Sequence, residues 1–163
     1  MSIQNDTALF LLSVLIVMAG IESSARHAQS SPRECNVLQL NIQSSNTSSH
    51  LLKYVAAKRQ VDVILLQEVW NPKNTLNLKN YQKPLIKERK KEIKETGGGV
   101  AIICHKQARC VEKKEYEVKG LEAIWAEVTV NASKMIVGSV YIPPTPGREE
   151  KLKKLEFAFA APY

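Results

Sequence analysis

The run Val61 to Val69 (VDVILLQEV) is dense in β-branched and aliphatic side chains and has almost no polar face. A strand of that kind must be covered on both sides, because a half-exposed strand alternates apolar with polar residues. It therefore demands neighbours in its own sheet and layers above and below it, which restricts the chain to layered, sheet-centred folds. A length of 163 residues supplies one such domain and little beyond it. With 44% apolar and 24% charged residues, the chain falls among ordinary globular proteins and away from disordered or collagenous ones.

Around this run the chain has the punctuation of an α/β protein, and no stretch repeats another. Asn36 to Ile42 (NVLQLNI) alternates and reads as a short strand. The Ser/Asn-rich cluster Gln43 to Ser49 offers turn and N-cap residues, and Leu51, Leu52, Val55 and Ala56 recur at helical spacing before Lys58 and Arg59. That spacing predicts a helix of about three turns. Pro72 to Lys83 reads as loop, and Pro84 to Lys94 as a basic segment with no strong core face. Gly97-Gly98-Gly99 opens a further apolar strand, Val100 to Cys104. The strand ending at Glu68 is expected between this one and Asn36 to Ile42. Ala123 to Val130 and Met135 to Ile142 are separated by the polar Asn131-Ala132-Ser133 and predict an antiparallel hairpin. Pro143-Pro144 stops the second of them. Arg148 to Phe157 begins an amphipathic helix with Leu152, Leu155 and Phe159 on its apolar side. A helix that does not return to a strand reads as a truncated domain.

Residues 1–34 stand apart as a leader and linker. Ala8 to Ile21 (ALFLLSVLIVMAGI) is an apolar run shorter than the roughly 20 residues that span a bilayer, so no stable membrane span is expected. It has the length of a signal-peptide core, with small residues at Ser23-Ser24-Ala25, but Asp6 precedes it and no Lys or Arg does. Secretion and an intracellular location both stay open. The run is expected to be helical and to pack little against the body, having no periodic polar face. Asn5-Asp6-Thr7, Asn46-Thr47-Ser48 and Asn131-Ala132-Ser133 match the glycosylation pattern and decide nothing until secretion is known.

The net charge of +7 lies in the body, since up to Cys35 only Arg26 and Arg33 stand against Asp6, Glu22 and Glu34. A basic body suits a polyanion such as nucleic acid. Three cysteines, Cys35, Cys104 and Cys110, without a C-x-x-C pair argue against a disulfide framework or a structural zinc site. Cys104 reads as a small buried hydrophobe.

Glu68, in LLQEVW, lies at the C-terminal end of the buried strand. Strand ends are rigid and open onto the sheet edge, a common place for a metal-binding carboxylate; an unmet carboxylate there would be costly. The competing reading is a side chain that simply leaves the strand into solvent. The ordered set NIQS, LLQEVW, GGGVAII, LEAIWAEV and VGSVYIPP resembles the endonuclease/exonuclease/phosphatase superfamily of deoxyribonuclease I and the abasic-site endonucleases. It is most like the endonuclease domains of non-LTR retrotransposons, and the likeness covers about Cys35 to the C-terminus. The resemblance implies an α/β fold, a partial two-sheet sandwich of the deoxyribonuclease I-like type over residues 35–163, truncated after about half the domain. It also implies phosphodiester hydrolysis assisted by a divalent cation, usually magnesium. By motif match, Glu68 corresponds to the acidic metal ligand, Asn41 to the asparagine that orders metal and phosphate, and Tyr141 to the tyrosine on the scissile phosphate. Hard cations prefer such oxygen ligands. Trp70 and Trp125 read as rim or core packing.

The departures weigh equally. The family's Gly-Asp-Phe-Asn and Ser-Asp-His segments have no counterpart, and His27, His50 and His105 all lie outside a Ser-Asp-His context. Gly97 to Gly99 is not a phosphate-binding P-loop, for no Gly-Lys-Ser/Thr follows. Three readings follow: an incomplete, inactive endonuclease fragment; a nonenzymatic basic remnant that binds nucleic acid or protein through Lys87 to Lys94; or a secreted deoxyribonuclease-like enzyme. DNA, RNA and other phosphodiesters all stay open as substrate. Half a sandwich is further expected to bare an apolar sheet face and so to self-associate.

Overall fold

The computed structural model describes residues 12–19, 34–70, 72, 75–89, 97–143 and 147–160, with 12–19 and 157–160 described as backbone only. Its strands are β1 (Leu12–Ala19), β2 (Val37–Asn41), β3 (Val63–Gln67), β4 (Leu85–Lys87), β5 (Val100–Cys104), β6 (Arg109–Glu112), β7 (Glu122–Val130) and β8 (Ser133–Ile142). Helix α1 (Ser45–Lys58) joins β2 to β3, a 3-10 turn (Lys114–Tyr116) follows β6, and α2 (Arg148–Ala160) follows β8. Two four-stranded sheets result, in the orders β2-β3-β5-β4 and β1-β8-β7-β6.

The buried run behaves as its composition requires. β3 pairs in parallel with β2 and antiparallel with β5, so it lies between the two strands expected to flank it. Its side chains divide by pleat: Val63 and Leu65 enter the core between the sheets with Ile102, Ile124, Ala126, Val128 and Val137. Ile64 and Leu66 enter an outer layer closed by Leu52 of α1 and by Leu76, Leu78 and Tyr81. Each such aliphatic residue, once buried, contributes on the order of 2 kcal/mol. On the far side of the other sheet, Leu155 of α2 closes over Trp125, Val140 and Ile142. Among the described residues, the apolar faces of β3 and of the β7–β8 pair are therefore covered, by the facing sheet on the inside and by α1 and α2 on the outside. What stays open is strand edge: β2 and β4 end one sheet, β1 and β6 the other.

Three expectations need correction, and one strand carried no signal in the sequence. Within the leader, Leu12–Ala19 is a strand and not a helix, in register with β8 from Leu12↔Ile142 to Ala19↔Met135; the rest of 8–21 lies outside the described residues. A Leu/Ile/Val-rich run suits a strand as well as a helix, and β8 offers it an unpaired edge. Helix α1 starts at Ser45, six residues before the apolar spacing begins. The serine cluster forms its first turns, with Ser48 Oγ donating to the Ile42 carbonyl at 2.7 Å. Inside the basic segment, Leu85–Lys87 is strand β4, too short for its alternation to show. Arg109–Glu112, which carried no strong signal, is the edge strand β6.

Candidate active site at the ends of β2, β3 and β8

At the C-terminal ends of β2 and β3 the backbone leaves extended geometry abruptly. Among the described residues, seven non-glycine positions have positive φ, and four of them are Gln43, Ser44, Glu68 and Trp70. Asn41 lies two residues before the first of these. Such conformations cost roughly 1–3 kcal/mol each and persist only where surrounding structure enforces them. Here backbone hydrogen bonds do so: Ser44 N–H donates to the Glu68 carbonyl at 2.8 Å, and Trp70 N–H to the Gly98 carbonyl at 3.1 Å. Gly98 and Gly99 reach that second contact at φ +78 and +84, a region glycine enters without strain.

Glu68 is thereby turned inward and is only 8% exposed. The Tyr141 hydroxyl of β8 donates to its Oε1, across 73 positions of sequence. Burial, together with the Glu68 carboxylate that accepts this hydrogen bond, pushes the Tyr141 phenol far above its usual range. Asn41 sits at the end of β2 with its Cα opposite Gln67, next to Glu68. Its Oδ1 accepts from the Gln43 amide at 3.2 Å, which fixes the side-chain amide's orientation and leaves Nδ2 buried without a hydrogen-bond partner. A buried donor in that state is destabilising by about 1–3 kcal/mol unless an acceptor arrives.

Two further side chains belong to this cluster. Arg89, just beyond β4, donates from Nε to Glu122 Oε1 at 2.6 Å, and its guanidinium carbon stands 5.7 Å from the centre of the Tyr141 ring. Glu122 lies opposite Tyr141 in the β7–β8 register and accepts the Gly99 amide on Oε2 at 2.8 Å. Neither residue was singled out by sequence reasoning, although Glu122 lies inside LEAIWAEV. Arg89 had been absorbed into a basic run. Lys87, in the same run, pairs with Glu117 at 3.4 Å, so these two cations serve the fold and not an open basic patch. Residues 90–94 of that run lie outside the described residues.

Trp125 is core, lying over Gly138, while Trp70 packs on Gly97 at the rim with 36% of its surface exposed. His105 stands at the opposite end of the sheet, edge-on to Tyr81, and His50 is exposed on α1. A hollow of about 830 Å³ also occupies that opposite end, bordered by Lys53, Arg59, Asp62 and Tyr81. It touches none of Asn41, Glu68 or Tyr141, so its size does not make it the reactive site.

Divalent-metal dependence is general to endonuclease-like folds, so the fit matters. Glu122 is neutralised by Arg89, and among the described residues Glu68 is the cluster's carboxylate without an ion pair. No group of three or more His, Cys, Asp or Glu side chains is arranged to hold a metal among the described residues. One carboxylate fits a largely hydrated magnesium ion, which commonly takes one or two carboxylates and fills its other positions with water and phosphate oxygens. It does not fit a dehydrated all-protein cage.

No family model matches the sequence, and no curated protein matches it. Among solved structures it is similar to the endonuclease domain of TRAS1, a telomere-specific non-LTR retrotransposon, with 18% identity and a TM-score of 0.57 over 76% of this chain. The match spans 52% of the length of that domain's chain. The chain carries, over about half of such a domain, the two-sheet α/β fold of deoxyribonuclease I-like endonucleases.

Proposed function

We propose that residues 35–163 form the phosphate-engaging half of a magnesium-dependent phosphodiesterase site for nucleic acid, and that this chain alone binds without turning over. The observation that carries the reading is the buried Glu68–Tyr141 hydrogen bond beside the partnerless Asn41 Nδ2. Asn41 would donate Nδ2 to a non-bridging phosphate oxygen. Glu68 would hold the cation, and Tyr141 holds Glu68. The ion, when bound, neutralises charge that builds on the phosphate. The Arg89–Glu122 pair keeps Tyr141 from swinging away by packing a cation against its ring. No described histidine stands in the cluster to take a proton from water, and loss of a positioned base alone costs roughly 10² to 10⁴ in rate.

The test is supercoiled plasmid and an abasic-site duplex in millimolar magnesium, with wild type beside Glu68→Ala, and fluorescence anisotropy of a labelled duplex in parallel. Expected are no nicking above the Glu68→Ala background, salt-sensitive binding, and weaker binding by Asn41→Ala. Nicking that disappears with Glu68→Ala would show a working enzyme and overturn the binding-only reading. Duplex affinity unchanged in Asn41→Ala would remove the phosphate role of that residue.

A further inference from the structure

A polar pair lies in the core between the sheets, next to the candidate site. Gln67 is the last residue of β3 and Ser139 stands within β8, and both are fully buried. Gln67 Nε2 donates to Ser139 Oγ at 2.9 Å, and Ser139 Oγ donates to the Leu66 carbonyl at 2.8 Å. Two adjacent residues of one sheet thus grip a single hydroxyl of the other. Both strands are interior to their sheets, β3 between β2 and β5 and β8 between β1 and β7. The pleat that sends Val63 and Leu65 inward sends Gln67 inward too, where it meets Ser139 between Val137 and Tyr141.

Stability does not explain this pair. Each hydrogen bond replaces bonds to water and contributes modestly, whereas Gln67 Oε1 is buried without a hydrogen-bond partner and bears the full cost of leaving water. An apolar pair of similar volume would fill the layer without that cost. What the polar pair adds is direction. Aliphatic burial is non-directional, but a donor and its acceptor must meet within a range of about 0.5 Å.

We propose that Gln67 and Ser139 are positioning residues, whose hydrogen bonds fix the end of β3 against β8 so that the Tyr141 hydroxyl reaches the Glu68 carboxylate. Glu68 follows Gln67 by one residue, and Tyr141 follows Ser139 by two. Gln67 is held on three sides, opposite Asn41 and Val100 within its sheet and by Ser139 across the core. A strand advances about 3.3 Å per residue, so a slip of one residue's length between β3 and β8 would part Tyr141 from Glu68. That this alignment orients a metal-binding carboxylate rests on the function proposed above; the alignment itself does not.

The test compares two variants with the wild-type full chain. Gln67→Met combined with Ser139→Ala removes both bonds and the orphaned oxygen while keeping an unbranched side chain at 67. Val137→Ala opens a cavity in the same layer and leaves both bonds in place. The readouts are the urea midpoint, the downfield proton resonance of the Tyr141 hydroxyl, assigned by its absence in Tyr141→Phe, and duplex anisotropy in millimolar magnesium. The double variant is expected to match or exceed the wild-type midpoint, to lose the resonance and to bind duplex about tenfold more weakly. Val137→Ala is expected to lower the midpoint and keep the resonance. A double variant that keeps the resonance, unfolds at lower urea or does not fold would overturn the proposal, since the pair would then serve stability. Loss of the resonance in Val137→Ala would also overturn it, because any loosening of the core would then suffice, and a wild-type chain without the resonance would remove the bond to be aligned. Loss of the resonance in the double variant with unchanged duplex affinity would support the alignment and count instead against the role of Glu68 in binding.

Discussion

Tyr141 of β8 ties one sheet to the end of β3 in the other through Glu68, and its proton reports on that tie. Its pKa is raised by burial first and by Glu68 second, so the folded chain keeps the proton after the unfolded chain loses it near pH 10. A raised folded pKa means that its stabilisation is complete below that pH and declines above it. Unfolding midpoints should therefore fall as pH rises past about 10, and less steeply in Tyr141→Phe. Ultraviolet titration should show a late tyrosine that this variant lacks; an unaltered late fraction would place the tie elsewhere. Gly98 is the second residue on which the site turns. A Cβ there would sit 2.6 Å from a Glu122 carboxylate oxygen and against the Arg89 guanidinium, at φ +78. Gly98→Ala should destabilise by about 2 kcal/mol or more, backbone strain accounting for 1–2 of that. A denaturant midpoint within error of wild type would show that the Arg89–Glu122 pair is not constrained as described. At this scale the placement of Glu68 just past the end of β3 was legible, because a carboxylate ends an apolar run, while the Glu68–Tyr141 hydrogen bond spans 73 positions and shows in no local pattern. Arg89 was not, since its partner lies 33 positions away and nothing local separates it from solvated cations.

At the scale of elements, the β7–β8 hairpin shows how much the sequence contained. Val130 pairs with Ser133, so Asn131 and Ala132 form a two-residue turn, with φ +49 and +67. Both values match the type I′ turn that suits the twist of a hairpin. Counting outward from that turn places Glu122 opposite Tyr141 without any coordinates, so the link from register to site could have been drawn in advance. The β4 and β6 strands could not, because three or four residues carry too little periodicity and their pairing depends on partners far along the chain. The turn also holds an unfavourable residue. Asparagine tolerates left-handed backbone, but alanine there is strained by roughly 1–2 kcal/mol. Ala132→Gly should raise stability by about 1 kcal/mol, part of the relief being offset by the greater freedom of unfolded glycine. A lower thermal midpoint in that variant would contradict the turn type.

The whole molecule poses a choice for its N-terminal residues that neither sequence nor architecture presents separately. Hydropathy made 8–21 a leader, in which cleavage near Ser23-Ser24-Ala25 would remove it; the fold uses Leu12–Ala19 as the strand that completes a four-stranded sheet. The same residues cannot be both discarded and paired with β8. The reason the strand was missed is physical: an unpatterned apolar run is equally suited to lipid, to a signal-peptide groove, or to a sheet edge, and only the edge of β8 distinguishes the last. Without β1, β8 would present an open row of backbone donors and acceptors from Met135 to Ile142, a template for another chain. A chain beginning at Arg26 should therefore unfold at lower denaturant concentration than the full chain and elute from gel filtration as larger species. Amides of β8 should exchange faster in it. If the shortened chain instead stays monomeric with the same midpoint and the same β8 protection, β1 contributes nothing to the sandwich, and residues 1–34 act as a leader alone.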